Sequence, residues 1–198
     1  MRFFLLFLFE LLYNNNEVNN MSCKECLVKR DIIYKGKIIN VYNDVVSLEN
    51  KNMTSYREIV EHNGGVCAVV RTKDDKIKFV KQFRYAFNEE VLELPAGKIE
   101  KGEDPYYTIA REIEEEVGVS AKEIIKVGKM YSSPGFCTEV IHLYYVEDYT
   151  ECDKHFDDDE DLDSFEFTYS EALKMIENGQ IVDAKTICLL LRVKEKFM

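Results

Sequence analysis

The stretch from Asp104 to Gly118 leaves the backbone little choice. Pro105 has no N–H to give and suits the first turn of a helix, the Asp104 carboxylate sits at its start, and Gly118 suits the residue that closes it. On the helix between them, Glu112, Glu115 and Glu116 stand at i, i+3 and i+4 and therefore share one face. Held at ~4 Å with an effective dielectric of about 20, each pair of like charges costs on the order of 4 kcal/mol. A solvated helix lets such side chains splay, whereas a site that gathers them needs a cation. Carboxylate oxygens on a rigid element suit a hard ion such as Mg²⁺, bound at roughly 2.1 Å and completed by water and phosphate oxygens.

Around this helix the sequence alternates between strand-like and helix-like runs. Asp31 to Tyr34, Ile38 to Leu48 and Ser55 to His62 read as a three-stranded antiparallel meander, punctuated by Lys35-Gly36-Lys37 and by Glu49 to Met53. Ile39, Val41, Val45 and Val46 make its outer face apolar for a lone sheet, which predicts packing on the main domain or on a partner subunit. After Gly64-Gly65, Val66 to Arg71 is expected to pair with Ile77 to Arg84 across the Asp74-Asp75 turn. Val91 to Leu94, Ile124 to Tyr131 and Val140 to Glu147 follow as strands. Ser170 to Ile176 and Ala184 to Phe197 follow as helices. The class is α/β with a mixed sheet.

A chain of 198 residues is long enough for one well-packed domain, and its net charge of −11 argues against a polyanionic partner such as nucleic acid. The acidity peaks in one run, Asp157, Asp158, Asp159, Glu160, Asp161 and Asp163. Cys67 and Cys188 lie in apolar runs and read as small core residues. Cys23 and Cys26 form a CxxC that Cys137 and Cys152 do not complete at finger-like spacing, so all six cysteines read as reduced thiols in a cytoplasmic protein, with a structural zinc as the minority reading. Phe3 to Phe9 is apolar but is interrupted by Glu10, lacks a small-residue cleavage site and is too short to span a bilayer. Residues 1–20 are therefore expected to be a disordered extension or mis-assigned start, with Met21 opening the working protein; no membrane partner is expected. The domain boundaries that follow are 21–62 for the N-terminal sheet and 63–198 for the main domain.

The residues Gly97, Glu103, Arg111, Glu112, Ile113, Glu115, Glu116, Gly118 and Val119 occupy every specified position of the Nudix box, Gly-x5-Glu-x7-Arg-Glu-U-x-Glu-Glu-x-Gly-U, where U is aliphatic. The resemblance runs from about Arg57 to Leu191. Arg57-Glu58-Ile59-Val60-Glu61-His62, Gln82-Phe83-Arg84-Tyr85, Glu93-Leu94-Pro95-Ala96-Gly97, Ser133-Pro134-Gly135-Phe136 with Glu139, and Ile181 to Thr186 are similar to ADP-ribose pyrophosphatases. In that subfamily a proline about fifteen residues beyond the box accompanies ADP-ribose specificity, and Pro134 lies fifteen after Val119. The resemblance implies a Nudix α/β/α sandwich with a mixed sheet plus a small N-terminal antiparallel sheet exchanged in a homodimer. It also implies Mg²⁺-dependent hydrolysis, with Mn²⁺ as a substitute, of ADP-ribose to AMP and ribose 5-phosphate. Another nucleoside diphosphate sugar or an oxidised nucleotide is the alternative substrate. A nucleotide-sensing module without catalysis is the rival class, against which the intact box speaks.

The same resemblance makes Glu112, Glu116 and the Ala96 carbonyl metal ligands, with Glu115 a ligand or a partner through water. Arg111, at i+4 to Glu115 on the helix, is expected to orient a box carboxylate; the bland alternative is a surface ion pair worth little. Glu103 supports from the loop. Glu160, with Asp158 second, is the candidate for metal binding or water activation on the acidic run, which could equally be a solvated charge run. Arg84 at a strand end could meet a phosphate bidentately, and Arg57 with Glu58 could reach a phosphate and a ribose hydroxyl from the other subunit. Pro134, Phe136 and Glu139 belong to the loop expected to cover the terminal ribose. His62, His142 and His155 form no catalytic arrangement; His62 closes a strand and His142 lies within one, so these two read as structural.

Overall fold

The computed structural model describes residues 24–49, 51–154 and 162–198. The extension 1–20, Cys23, His155 and the acids Asp157 to Asp161, Asp158 and Glu160 among them, lie outside the described residues. The described residues form two compact units: those up to Asp31 with Asn43–Glu58, and Ile32–Tyr42 with Ile59–Met198. The division falls within the three strands of the N-terminal sheet, β1 (Glu25–Lys35), β2 (Ile39–Leu48) and β3 (Met53–His62), which pair in the order β1-β2-β3.

In the first unit, ion pairs join β1 to its neighbour β2 and also to the far strand β3. Arg30 forks onto the buried Asp44 at 2.8 and 2.7 Å, and Arg57 forks onto Glu25 at 2.9 and 2.5 Å. The apolar residues left in water are not the ones the alternation pointed to. Ile39, Val41 and Val45 are half-buried and Val46 is buried, while Leu27 and Val28 on β1 and Met53 and Tyr56 on β3 are exposed.

The second unit is layered. β4 (Gly65–Val70), β7 (Ala96–Lys98), β9 (Ile125–Tyr131) and β10 (Val140–Val146) form a sheet in the order β7-β4-β10-β9. β4 runs parallel to β10, and the outer pairings are antiparallel. β5 (Lys76–Arg84) lies between β12 (Leu162–Thr168) and β6 (Glu89–Glu93), and β8 (Val119–Ala121) pairs with β11 (Tyr149–Glu151). All six residues of β4 are buried, so this strand feeds two cores by alternation. Cys67 and Val69 meet Leu143, Tyr145, Leu189 and Leu190 on one face. Val66, Ala68 and Val70 meet Ile109, Ile113 and Val117 on the other. The first set includes helix α3 (Ala184–Arg192) and the second includes α1 (Pro105–Val117), which makes an α/β/α sandwich; α2 (Tyr169–Glu177) follows β12.

The expected hairpin between Val66–Arg71 and Ile77–Arg84 is not formed. The turn closes as read, with Thr72 N–H on the Lys76 carbonyl at 2.8 Å and one bridge between Arg71 and Ile77. Beyond that bridge the strands separate, because β7 and β10 occupy both edges of β4 and leave β5 to pair with β12 and β6. The helix read through Phe197 ends at Arg192, followed by a single 3₁₀ turn at Lys194–Lys196. The five described cysteines, Cys26, Cys67, Cys137, Cys152 and Cys188, are free thiols, and burial pushes the Cys67 thiol upward. Among the described residues no helix is long and apolar enough to cross a membrane.

Candidate active site

Helix α1 begins and ends where its sequence dictates. Asp104 accepts from Tyr106 N–H at 2.8 Å, Pro105 opens the first turn, and Gly118 closes the helix at φ 64°, ψ 45° with its N–H on the Glu114 carbonyl. Ile109, Ile113 and Val117 face the sheet, so the same helix is compelled to turn Glu112 and Glu116 partly inward. These two carboxylates are 7% and 3% exposed.

Strand β7 and the residues before it receive them. Ala96 N–H donates to Glu116 Oε2 at 3.0 Å. Glu112 lies against Gly97 so closely that a Cβ there would fall 1.9 Å from its carboxyl carbon and from Oε1. The glycine is thus required by a neighbouring carboxylate rather than by its own backbone angles. Arg111 stands among the acids: Nη2 is 2.9 Å from Glu112 Oε1, Nη1 donates to Glu115 Oε2 at 2.8 Å, and Nε lies 3.7 Å from Glu103 Oε1. Burial opposes the charge on Arg111, but Glu112, Glu115 and Glu103 outweigh it and hold its pKa above the ordinary value. Glu103 also accepts from Glu100 N–H at 3.1 Å. Burial acts to raise its carboxyl, while the Glu100 amide, Thr108 and Arg111 bring it below the usual range.

The donor chemistry suits a hard divalent cation: three carboxylates on one helix, with the Ala96–Gly97 backbone folded against two of them. The Gly97 cradle supports that fit, since it keeps the Glu112 carboxylate against the strand that carries Ala96. Among the described residues, no three acidic, histidine or cysteine side chains form a closed cation site; the Arg111 guanidinium bridges Glu112 and Glu115.

Arg84 ends β5 with its guanidinium forked onto Glu93, Nε to Oε1 at 2.7 Å and Nη2 to Oε2 at 2.6 Å. Lys185, in the first turn of α3, contacts the same Glu93 oxygen. Pro134 and Phe136 are exposed on the loop after β9. That loop is tied to the end of β3 by Val60 N–H to the Phe136 carbonyl at 2.8 Å and Thr138 N–H to the Val60 carbonyl at 2.9 Å. Glu139 lies 3.4 Å from His62 Nδ1, an atom that already accepts from Gly64 N–H. Arg57 and Glu58 belong to the first unit, where Arg57 is engaged by Glu25. Thus the structure brings Ala96, Arg111, Glu112, Glu115 and Glu116 together. It ties the Pro134–Glu139 loop to β3 and leaves Glu160 outside the described residues. Glu93 and Lys185 were given no role by sequence reasoning, although both lie in segments that carry the family resemblance, Glu93 to Gly97 and Ile181 to Thr186.

A family model described as NUDIX domain matches residues 61–190. An ADP-ribose pyrophosphatase of Bacillus subtilis is 41% identical over 167 residues, spanning 83% of this chain and 90% of the relative. A methanol dehydrogenase activator of Bacillus methanolicus is 39% identical over 166 residues, 83% of this chain and 89% of that protein. A GDP-mannose pyrophosphatase of Escherichia coli is 32% identical over 162 residues, 76% of this chain and 84% of that protein. In fold, the chain resembles a structure described as an ADP compounds hydrolase, at TM-score 0.75 and 17% identity, covering 87% of this chain and 94% of the other.

Proposed function

Because this chain belongs to the Nudix family, we propose that it is a pyrophosphohydrolase that cleaves ADP-ribose to AMP and ribose 5-phosphate. The observation that carries this reading is the pair of buried carboxylates, Glu112 and Glu116, on the helix of a complete box and packed against Ala96–Gly97. The choice of ADP-ribose is supported by the Bacillus subtilis relative and by Pro134, fifteen residues beyond the box.

The Ala96 carbonyl, Glu112, Glu115, Glu116 and Glu160 would hold Mg²⁺, or Mn²⁺ in its place. The ion, when bound, neutralises charge on the pyrophosphate oxygens and makes water a better nucleophile. Arg111 keeps Glu112 and Glu115 at a fixed separation. Glu160, with Asp158 second, takes the proton from the attacking water. Arg84 turns its unforked edge to a phosphate, Pro134, Phe136 and Glu139 cover the terminal ribose, and Arg57 and Glu58 reach the substrate from a second copy of the chain.

A second nucleoside diphosphate sugar remains a competing substrate on one observation, the GDP-mannose pyrophosphatase relative. Initial rates with Mg²⁺ across ADP-ribose, other nucleotide sugars, dinucleotides and nucleoside triphosphates separate the two. ADP-ribose should give the highest kcat/KM, and a preference for GDP-mannose or a triphosphate contradicts the assignment. The homodimer is supported by the exposed Leu27, Val28, Met53 and Tyr56 of the N-terminal sheet. Sedimentation equilibrium should give twice the chain mass at micromolar concentration, and a monomer would sink the reading.

A further inference from the structure

Arg84 is held in an unexpected direction. In the β5–β6 register it stands opposite Glu89, the acid an ordinary cross-strand ion pair would use. Its guanidinium instead runs back along the strand to Glu93, the residue opposite Val80 on the same face. Glu93 is 3% exposed, so the fork is anchored in the protein interior, while the Arg84 side chain keeps 39% of its surface in water. Nε and Nη2 serve Glu93. The N–H groups of Nη1 and the second N–H of Nη2 have no other partner among the described residues, and together they form a second fork.

A buried carboxylate facing one half-exposed arginine would leave charge poorly compensated, and a second cation completes it. Lys185 Nζ contacts Glu93 Oε2 and lies 3.1 Å from Asp183 Oδ2. Asp183 caps α3 by accepting from Thr186 N–H at 2.9 Å, and Thr186 Oγ1 accepts from Leu94 N–H at 2.9 Å. The first turn of α3 thereby grips Glu93 and Leu94, while Glu116 of α1 grips Ala96 two residues further on. Burial acts to raise the Glu93 carboxyl, but Arg84 and Lys185 hold it below its ordinary range. Glu93 first, and then the charges of Asp183 and Glu116, hold the Arg84 pKa above its ordinary value against burial, which acts to lower it.

We propose that Glu93 and Lys185 are a positioning pair for Arg84, fixing its inner edge so that its outer edge meets the substrate phosphates. The inference rests on the reading of Arg84 as a substrate contact. Lys185 touches no substrate; it shares the Glu93 carboxylate so that the arginine is neither drawn inward nor released.

The test is a double-mutant cycle on kcat and KM, run with the nucleoside diphosphate sugar that the wild-type chain turns over fastest. Lys185→Met should raise KM about tenfold while kcat falls less than about threefold, and Lys185→Arg should recover most of the loss. In an Arg84→Gln background, Lys185→Met should change KM by less than about twofold. If Lys185→Met does not fold, Glu93→Gln, which keeps shape and one acceptor oxygen, carries the same cycle. Multiplying effects in the double variant, or a fall in kcat at constant KM, overturn the positioning role alone. An unchanged KM in Arg84→Gln overturns the substrate contact itself and the inference with it.

Discussion

Glu116→Gln is expected to lower kcat about a thousandfold and to leave the melting temperature within a few degrees of wild type. The two halves of this expectation have separate causes. Glu116 Oε2 accepts from Ala96 N–H, and the glutamine carbonyl can accept from the same donor, so the tie between α1 and β7 survives. The substitution removes one negative charge in a nearly buried position, where an isosteric amide cannot replace it as a ligand for a hard cation. Circular dichroism melts and steady-state rates on one preparation check both halves. Near-wild-type turnover would remove Glu116 from the metal site.

Gly97→Ala should lower kcat about a hundredfold at nearly unchanged stability. The backbone at Gly97 has no positive φ, so alanine is conformationally acceptable there. Its methyl carbon would nonetheless stand 1.9 Å from the Glu112 carboxyl carbon, and one of the two must leave. The far end of Glu112 is flexible and yields at low cost to folding. Its carboxylate then leaves the strand that carries Ala96, which spoils the ligand geometry rather than the fold. A variant that unfolds readily but retains kcat would contradict this account, because it would make Gly97 a packing residue only.

The parts of this structure that the sequence made legible are those governed by neighbours along the chain. Asp104, Pro105 and Gly118 dictate the ends of α1 by capping chemistry, and the 3.6-residue period places Ile109, Ile113 and Val117 beneath the acids. The three-residue strands β7, β8 and β11 are too short to show any alternation, and their pairing is decided by distant partners. The Asp74-Asp75 turn is a true local signal, yet the burial of β4 on both faces, which reflects the whole sheet, decides where β5 goes. The site divides in the same way. Box residues could be placed by spacing, whereas the Lys185–Glu93 pair joins residues 92 apart, and nothing local in the two segments that contain them says that they meet.

If the carboxylates of α1 serve the hydrolysis of a nucleoside diphosphate sugar, turnover of ADP-ribose depends on the divalent cation they would hold. The most direct measurement is product analysis of ADP-ribose turnover by phosphorus NMR, with Mg²⁺ present and again after chelation. AMP and ribose 5-phosphate should appear in equal amounts with Mg²⁺ and neither with chelator, while turnover that persists without a divalent cation, or that yields other products, would contradict it.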